Sequence, residues 1–288
     1  MRPYALVLSN DLTEPEAMLR LTAQTAPYLD GVKIGITSSM VPGVDVFKKA
    51  KEIMRDKAVA AQARVPEEDA VAVLADYKVA DIGFTNKKGE WDGTNNKIVK
   101  TLCGAGTDYI TCHTITGISS IEESVATAHE YGGKVLTLPY MTHKGANLFF
   151  GMPIGDNAIE HVVKELQAYG LKEENAQKLY ASLGGIFNVT DLILNLGQHF
   201  GVDGYIGPAN DPDVLQRYRR FTPNEIWSPG FGRQDKKGRS LEQQIEEWAK
   251  VVGPNSAMIV GSAIYGAEDP GQAAKEIMEL RNKVVARL

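Results

Sequence analysis

Eight short apolar runs alternate with longer stretches of helical period along the whole chain, and that alternation admits few folds. The runs fall at residues 4–9, 31–36, 71–75, 109–113, 134–139, 204–207, 225–228 and 257–261. Most are continuously apolar, as parallel strands are when both of their faces are covered. Between them, residues 14–29, 121–131, 241–252 and 271–288 repeat apolar positions at helical spacing. The expected architecture is a (β/α)₈ TIM barrel, with a doubly wound open sheet as the competing topology. Polar residues favour the barrel. Asp11, Lys33, Asp76 with Lys78, His113, Thr142, Gln234 and Ser262 collect at the C-terminal ends of the runs, the face on which barrel enzymes assemble their sites.

The chain reads as one domain, 1–288, with insertions near 58–69, 87–95 and 154–195. With 43% hydrophobic and 23% charged residues, it can bury a sizeable core and has no signature of disorder. A formal net charge of −5 speaks against a general nucleic-acid or membrane-surface binder. A locally positive pocket for an anionic small molecule is compatible with it. No apolar run approaches the roughly 20 residues that span a bilayer, and the N-terminus does not read as a signal peptide. Cys103 and Cys112 stand in apolar or small-residue settings without metal-type spacing. Buried free thiols in a reducing cytoplasm are expected.

The chemical centre is Val73-Leu-Ala-Asp76-Tyr-Lys78-Val-Ala-Asp81-Ile82. An apolar lead-in runs into Asp76, and strand alternation puts Asp76 and Lys78 on one side. Asp81 falls just past the strand end, where it can swing toward that pair or toward a partner chain. Two carboxylates bracketing an amine at the end of a buried strand are costly to desolvate. A surface ion-pair cluster is the bland alternative; the apolar lead-in favours a functional site.

Asp76-Tyr-Lys78-Val-Ala-Asp81 fits a D-x-K-x-x-D pattern and resembles the orotidine 5′-phosphate decarboxylase suprafamily. Six further segments resemble that family in the same order. They are Leu8-Ser-Asn-Asp11-Leu, Gly31-Val-Lys33-Ile-Gly35, Met141-Thr142-His143-Lys-Gly145-Ala146, Tyr205-Ile-Gly-Pro208, Ser228-Pro-Gly-Phe-Gly-Arg-Gln234 and Ile259-Val-Gly-Ser-Ala-Ile-Tyr265. The six-residue motif alone is moderately specific, and the ordered set is strong. The resemblance implies decarboxylation of orotidine 5′-phosphate (OMP) to UMP, in pyrimidine biosynthesis, with no cofactor and no metal. The residues agree with that implication: the sequence has no metal-spaced His/Cys cluster and no dinucleotide glycine loop. A cofactor-free site must stress the substrate carboxylate and stabilise the carbanion with a fixed cation. An alternating array of lysines and aspartates has near-zero net charge and can be buried as paired groups.

By resemblance, Lys78 stabilises and protonates the carbanion at C6, Asp76 sits near the departing carboxylate, and Lys33 holds Asp76. Asp11 binds the ribose hydroxyls. Asp81 and Thr85 reach into the neighbouring subunit's site, which implies a homodimer. Thr142 stands where the family has a serine that contacts the pyrimidine. The turn at 228–234 offers backbone N–H groups and the Gln234 amide to a phosphate, and Ser262 and Tyr265 complete the substrate-binding set.

Three departures stand out. The family's eighth strand ends in Gly-Arg, whose guanidinium grips the phosphate; here the segment reads Gly261-Ser262-Ala263. Compensation by Arg233 is expected. Gly83 replaces a proline and is expected to loosen the turn after the motif. A second Thr-Asn pair, Thr94-Asn95, closes the 87–95 insertion, leaving open which pair faces the partner. The alternatives are a Mg²⁺-dependent relative acting on another phosphorylated compound, such as a sugar-phosphate decarboxylase or aldolase, and a catalytically silent nucleotide-binding homologue. His113 is expected to be a hydrogen-bonded structural histidine and Trp227 core. Trp91 packs the insertion or contacts the partner. His143 and the Phe149-Phe150 pair have both a site and a packing reading.

Overall fold

The eight apolar runs become eight parallel strands that close on themselves, as the computed structural model shows: β1 (Ala5–Asn10), β2 (Gly31–Gly35), β3 (Ala72–Val79), β4 (Tyr109–Cys112), β5 (Lys134–Thr137), β6 (Gly204–Ile206), β7 (Glu225–Pro229) and β8 (Ser256–Val260). The closing pair is β1 with β8, registered Ala5↔Ala257 to Leu8↔Val260. The fold is a (β/α)₈ barrel, and the open-sheet alternative is excluded. The structure describes residues 3–40, 45–60, 71–153, 160, 164, 167, 172–175, 188–232 and 238–288.

Helices α1 (Pro15–Thr25), α2 (Ile36–Ser39), α3 (Val46–Ala60), α4 (Thr94–Gly104), α5 (Ile118–Glu130), α6 (Asn147–Phe150), α7 (Val189–His199), α8 (Pro212–Phe221), α9 (Leu241–Val252), α10 (Ser262–Tyr265) and α11 (Pro270–Val285) surround the strands. The helix after β2 runs on to Ala60, and the rest of the 58–69 insertion lies outside the described residues. The insertion expected at 154–195 is shorter at its C-terminal end. Val189–His199 is the barrel's own helix before β6, started by an Asn188–Asp191 capping box, and most of 154–187 lies outside the described residues.

Alternation along the strands sorts side chains into two cores. Leu6, Leu8, Val32, Ile34, Val73 and Ala75 face the helices, whereas Ala5, Val7, Leu74, Tyr109, Leu136, Trp227 and Ile259 fill the barrel. Two residues further along each inward column come Ser9, Asp76 and Thr111, and Lys33 points inward between Val32 and Ile34. The site therefore rests on a packed apolar plug.

The plug ends in a polar floor. Tyr109 Oη donates toward the Glu225 carboxylate, 3.1 Å from each oxygen, and Trp227 Nε1 donates to Glu225 Oε2 at 2.8 Å. Lys134 Nζ reaches Glu225 at 3.2 Å. Burial, reinforced by Glu225, pushes the Tyr109 phenol well up, so it stays a donor. Glu225→Ala strands both buried donors and is expected to destabilise the protein by about 2–4 kcal/mol. The check is a lower urea midpoint with kcat unchanged, since the floor lies at the opposite end of the barrel from the cavity.

Candidate active site

A cavity of about 350 Å³ opens at the C-terminal ends of the strands, lined on one side by Ser9, Asp11, Lys33, Asp76, Lys78 and Thr111. Four charged groups form a continuous chain across its floor. Lys33 Nζ donates to Asp11 Oδ1 at 3.0 Å and to Asp76 Oδ2 at 2.9 Å. Lys78 Nζ donates to the other Asp76 oxygen at 2.7 Å. Two carboxylates and two ammoniums balance, which is what allows such groups to lie largely out of water.

Burial pushes the Asp76 carboxyl up, but Lys33 and Lys78 outweigh it and hold it down at about 2. Burial likewise pulls the Lys33 ammonium down, and the Asp76 and Asp11 carboxylates more than restore it, leaving it raised. Asp76 is thus a fixed anion and Lys33 a fixed cation at neutral pH.

Asp76 and Lys78 share the cavity, although not through a regular strand. Pairing of β3 with β4 passes from Ala75↔Ile110 directly to Val79↔Cys112, so Asp76, Tyr77 and Lys78 together oppose Thr111. This is a bulge, and it re-aims side chains next to a site. Lys78 takes φ 48°, a left-handed backbone that costs a non-glycine residue about 1 kcal/mol or more. Thr111 secures it: Oγ1 accepts the Lys78 N–H at 2.9 Å and lies 3.1 Å from Asp76 Oδ1, to which it donates. Sequence reasoning missed Thr111; its signal was its place two residues beyond inward-facing Tyr109. Between the two charged residues Tyr77 turns outward, its hydroxyl donating to Ser39 Oγ at 2.6 Å and its ring packing on Phe47.

The other wall is made by Leu138, Tyr140, Met141, Thr142 and His143 after β5, and by Ile206, Gly207, Pro208, Asn210, Pro229, Gly230 and Ile259. Thr142 and His143 are therefore in the cavity wall, which favours the site reading of His143. Phe150 is buried against Tyr140, while Leu148 and Phe149 are exposed, so the aromatic pair divides between packing and surface.

Family matching agrees with this geometry. The orotidine 5′-phosphate decarboxylase / HUMPS family model matches residues 4–277. The chain belongs to that family. It is 27% identical over 276 residues to an orotidine 5′-phosphate decarboxylase of Methanosphaera stadtmanae, with 95% of each chain covered. The enzyme of that name from Methanococcoides burtonii is 25% identical, covering 96% of this chain and 97% of its own. Among solved structures, orotidine 5′-monophosphate decarboxylase of Methanocaldococcus jannaschii, complexed with the inhibitor BMP, superposes with a TM-score of 0.67 at 23% identity. It covers 97% of this chain and 99% of its own, a likeness of fold.

As a member of this carboxy-lyase family, the chain departs most at the far end of the cavity. Ser262 opens the short helix α10, and neither it nor Tyr265 lines the cavity wall. Arg233 and Gln234 lie outside the described residues. Among the described residues, the cations of the wall are Lys33 and Lys78, both on the β2–β3 side. Asp81 and Thr85 are exposed and outside this chain's own cavity.

Two expectations are corrected. Gly83 does not loosen the turn, because a Cβ there would come within 2.4 Å of the Ser119 carbonyl oxygen. Glycine is what lets the turn sit against α5. Gly83→Pro or Gly83→Ala is therefore expected to destabilise the fold by about 1–3 kcal/mol, read as a lowered thermal midpoint. His113 departs from the expected hydrogen-bonded structural histidine at one ring nitrogen: its Nδ1 is buried without a partner among the described residues. Burial, with the Lys78 ammonium nearby, pushes its imidazole down toward the neutral form. Trp227 is core, fully buried, and Trp91, part-buried in the insertion, is half of an antiparallel backbone bridge with Thr85. Cys103 and Cys112 are free; Cys112 is buried and Cys103 partly so. Among the described residues no helix is long and apolar enough to cross a membrane.

Proposed function

We propose that this protein decarboxylates orotidine 5′-phosphate to UMP, without a cofactor. The carrying observation is the unbroken Asp11–Lys33–Asp76–Lys78 chain on the cavity floor. The substrate carboxylate on C6 lies beside Asp76, a fixed anion whose ionisation the two lysines guarantee. The C6–carboxylate bond breaks, CO₂ leaves, and the electron pair stays on C6. The Lys78 ammonium faces that charge and delivers a proton to C6; the amine regains a proton from water. Stabilisation comes from a group already in place, so little reorganisation is needed as the charge develops.

Asp11, half-exposed at the rim and fixed by Ser9 Oγ at 2.8 Å, suits the ribose hydroxyls. Thr142 suits the pyrimidine edge. The phosphate falls to the segment after β7, with Arg233 supplying the guanidinium absent at Ser262, and Arg233→Ala is expected to weaken UMP binding by at least about tenfold. Unchanged affinity would assign that charge elsewhere.

A second copy completes the site in this reading. Ile36, Met40, Ile82, Phe84 and Ile115 are 44–69% exposed on the segments that follow β2, β3 and β4, with Asp81 just past the end of β3. Apolar side chains gathered on the face that bears the cavity suit a subunit interface. Sedimentation is expected to give a dimer, and an active monomer would remove Asp81 from the mechanism. The overall test joins OMP turnover with calorimetric titration of 6-aza-UMP in chelator-treated buffer. Turnover with tight binding supports the proposal. Binding without turnover describes a silent homologue. A metal requirement with no binding describes an enzyme of another phosphorylated compound.

A further inference from the structure

Asp81 sits at the base of an excursion. Residues 83–92 leave the barrel and return as a small hairpin, bridged Thr85↔Trp91, with Asp92 N–H donating to the Phe84 carbonyl at 3.0 Å. An arm placed directly after Asp81 would disturb that residue's placement unless the chain were fixed on either side of it. The structure shows how that is avoided. The Asp81 N–H donates to Asn95 Oδ1 at 3.0 Å, and the Asp81 carbonyl accepts from Ser120 Oγ at 2.7 Å. Asn95 Nδ2 in turn donates to the Ser120 carbonyl at 3.2 Å. Asn95 and Ser120 are 1% and 2% exposed.

The hairpin's returning end is fixed independently. Glu123, fully buried, accepts from Gly93 N–H at 2.7 Å and from Asn96 N–H at 3.2 Å. It caps α4, whose own N-cap residue, Gly93, has no side chain to do so. Gly93 itself is required: a Cβ there would lie 2.4 Å from the Glu123 carboxylate and 2.6 Å from the Ile82 carbonyl oxygen. The chain thus comes back to Ile82 at Gly93-Thr94-Asn95.

We propose that Asn95 and Ser120 are positioning residues for Asp81, clamping its N–H and its carbonyl so that the exposed carboxylate, whose Oδ1 accepts the Ile82 N–H at 2.7 Å, keeps its place regardless of the hairpin. The same closure makes Thr94, beside the clamp, the threonine that accompanies Asp81 toward the partner, in place of Thr85 on the arm. This rests on the reading that Asp81 serves the partner's site.

The test is a double-mutant cycle on the full-length enzyme, reading kcat, KM and thermal midpoint. Asn95→Ala and the milder Ser120→Ala are each expected to lower kcat on OMP by roughly tenfold or more, with KM changing less. In an Asp81→Asn background, at enzyme concentrations where residual turnover is measurable, the same substitutions are expected to cost less than about twofold. Equal losses in both backgrounds, or a lowered midpoint with unchanged kcat in Ser120→Ala, would mean a purely structural role and overturn the proposal. Full turnover in Asp81→Asn alone would refute the underlying reading, and is seen before Asn95 is touched. Thr94→Val is expected to cost more than Thr85→Val, and the reverse order would overturn that assignment.

Discussion

Replacing Lys78 by alanine is expected to lower OMP turnover by at least about 10⁴-fold, since one group both stabilises the carbanion and delivers the proton. Binding is expected to suffer far less. Lys78 is half-buried and tied to Asp76 at the cavity floor, and the barrel beneath is closed without it. Alanine also keeps the left-handed backbone of this position no better than lysine does. The thermal midpoint is therefore expected to stay within a few degrees, and circular dichroism to be unchanged. Measurable wild-type turnover in this variant would end the decarboxylase assignment.

Asp76→Ala has the second largest expected effect, and a different character. It leaves Lys33, 9% exposed, with Asp11 alone, and removes the carboxylate that holds Lys78. Breaking a buried pair from one side costs about 3–5 kcal/mol, so the midpoint is expected to fall by roughly 5–8 °C, alongside the loss of turnover. The variant also predicts a change in acid stability. Asp76 is held at about 2 in the folded protein against an ordinary 3.8. A depressed carboxyl stabilises the fold above its unfolded value and loses that contribution as pH falls through its folded value. Wild type is therefore expected to lose on the order of 2 kcal/mol between about pH 4 and pH 2 from this group, and Asp76→Ala to lose none of it. Parallel acid-denaturation curves for the two proteins would show that Asp76 does not carry the depressed charge.

Much of this is legible in the sequence, for reasons that differ by residue. The strands are legible because continuous apolar runs have few alternative burials, and Asp76 and Lys78 because charges at the end of such a run need partners. Lys33 is legible only as part of the ordered motif set, since a single lysine after an apolar run has many uses. The bulge is not legible. Nothing marks lysine for a left-handed backbone, and the hydroxyl that holds it comes from the next strand. The Asp81 clamp is also hidden, because Asn95, Ser120 and Glu123 are distant in sequence and Glu123 reads as one more acid on an amphipathic helix. Gly83 shows the opposite failure: it reads as freedom where the neighbouring backbone makes it a fit.

Pro153 and Asn188 lie side by side in an antiparallel bridge, although thirty-four residues separate them in the chain. The ends of that stretch are held together by the barrel itself, through the Thr190 hydroxyl bonded to Pro139 and Phe150 carbonyls and the capping box at Asn188. Loop-closure entropy then grows only logarithmically with what is placed between them, about 0.6 kcal/mol for each doubling of length. A longer connection between Pro153 and Asn188 is therefore expected to cost the fold little. A reporter domain or affinity handle grafted between Pro153 and Asn188 is accordingly expected to leave the barrel folded, with a thermal midpoint within a few degrees of the ungrafted protein.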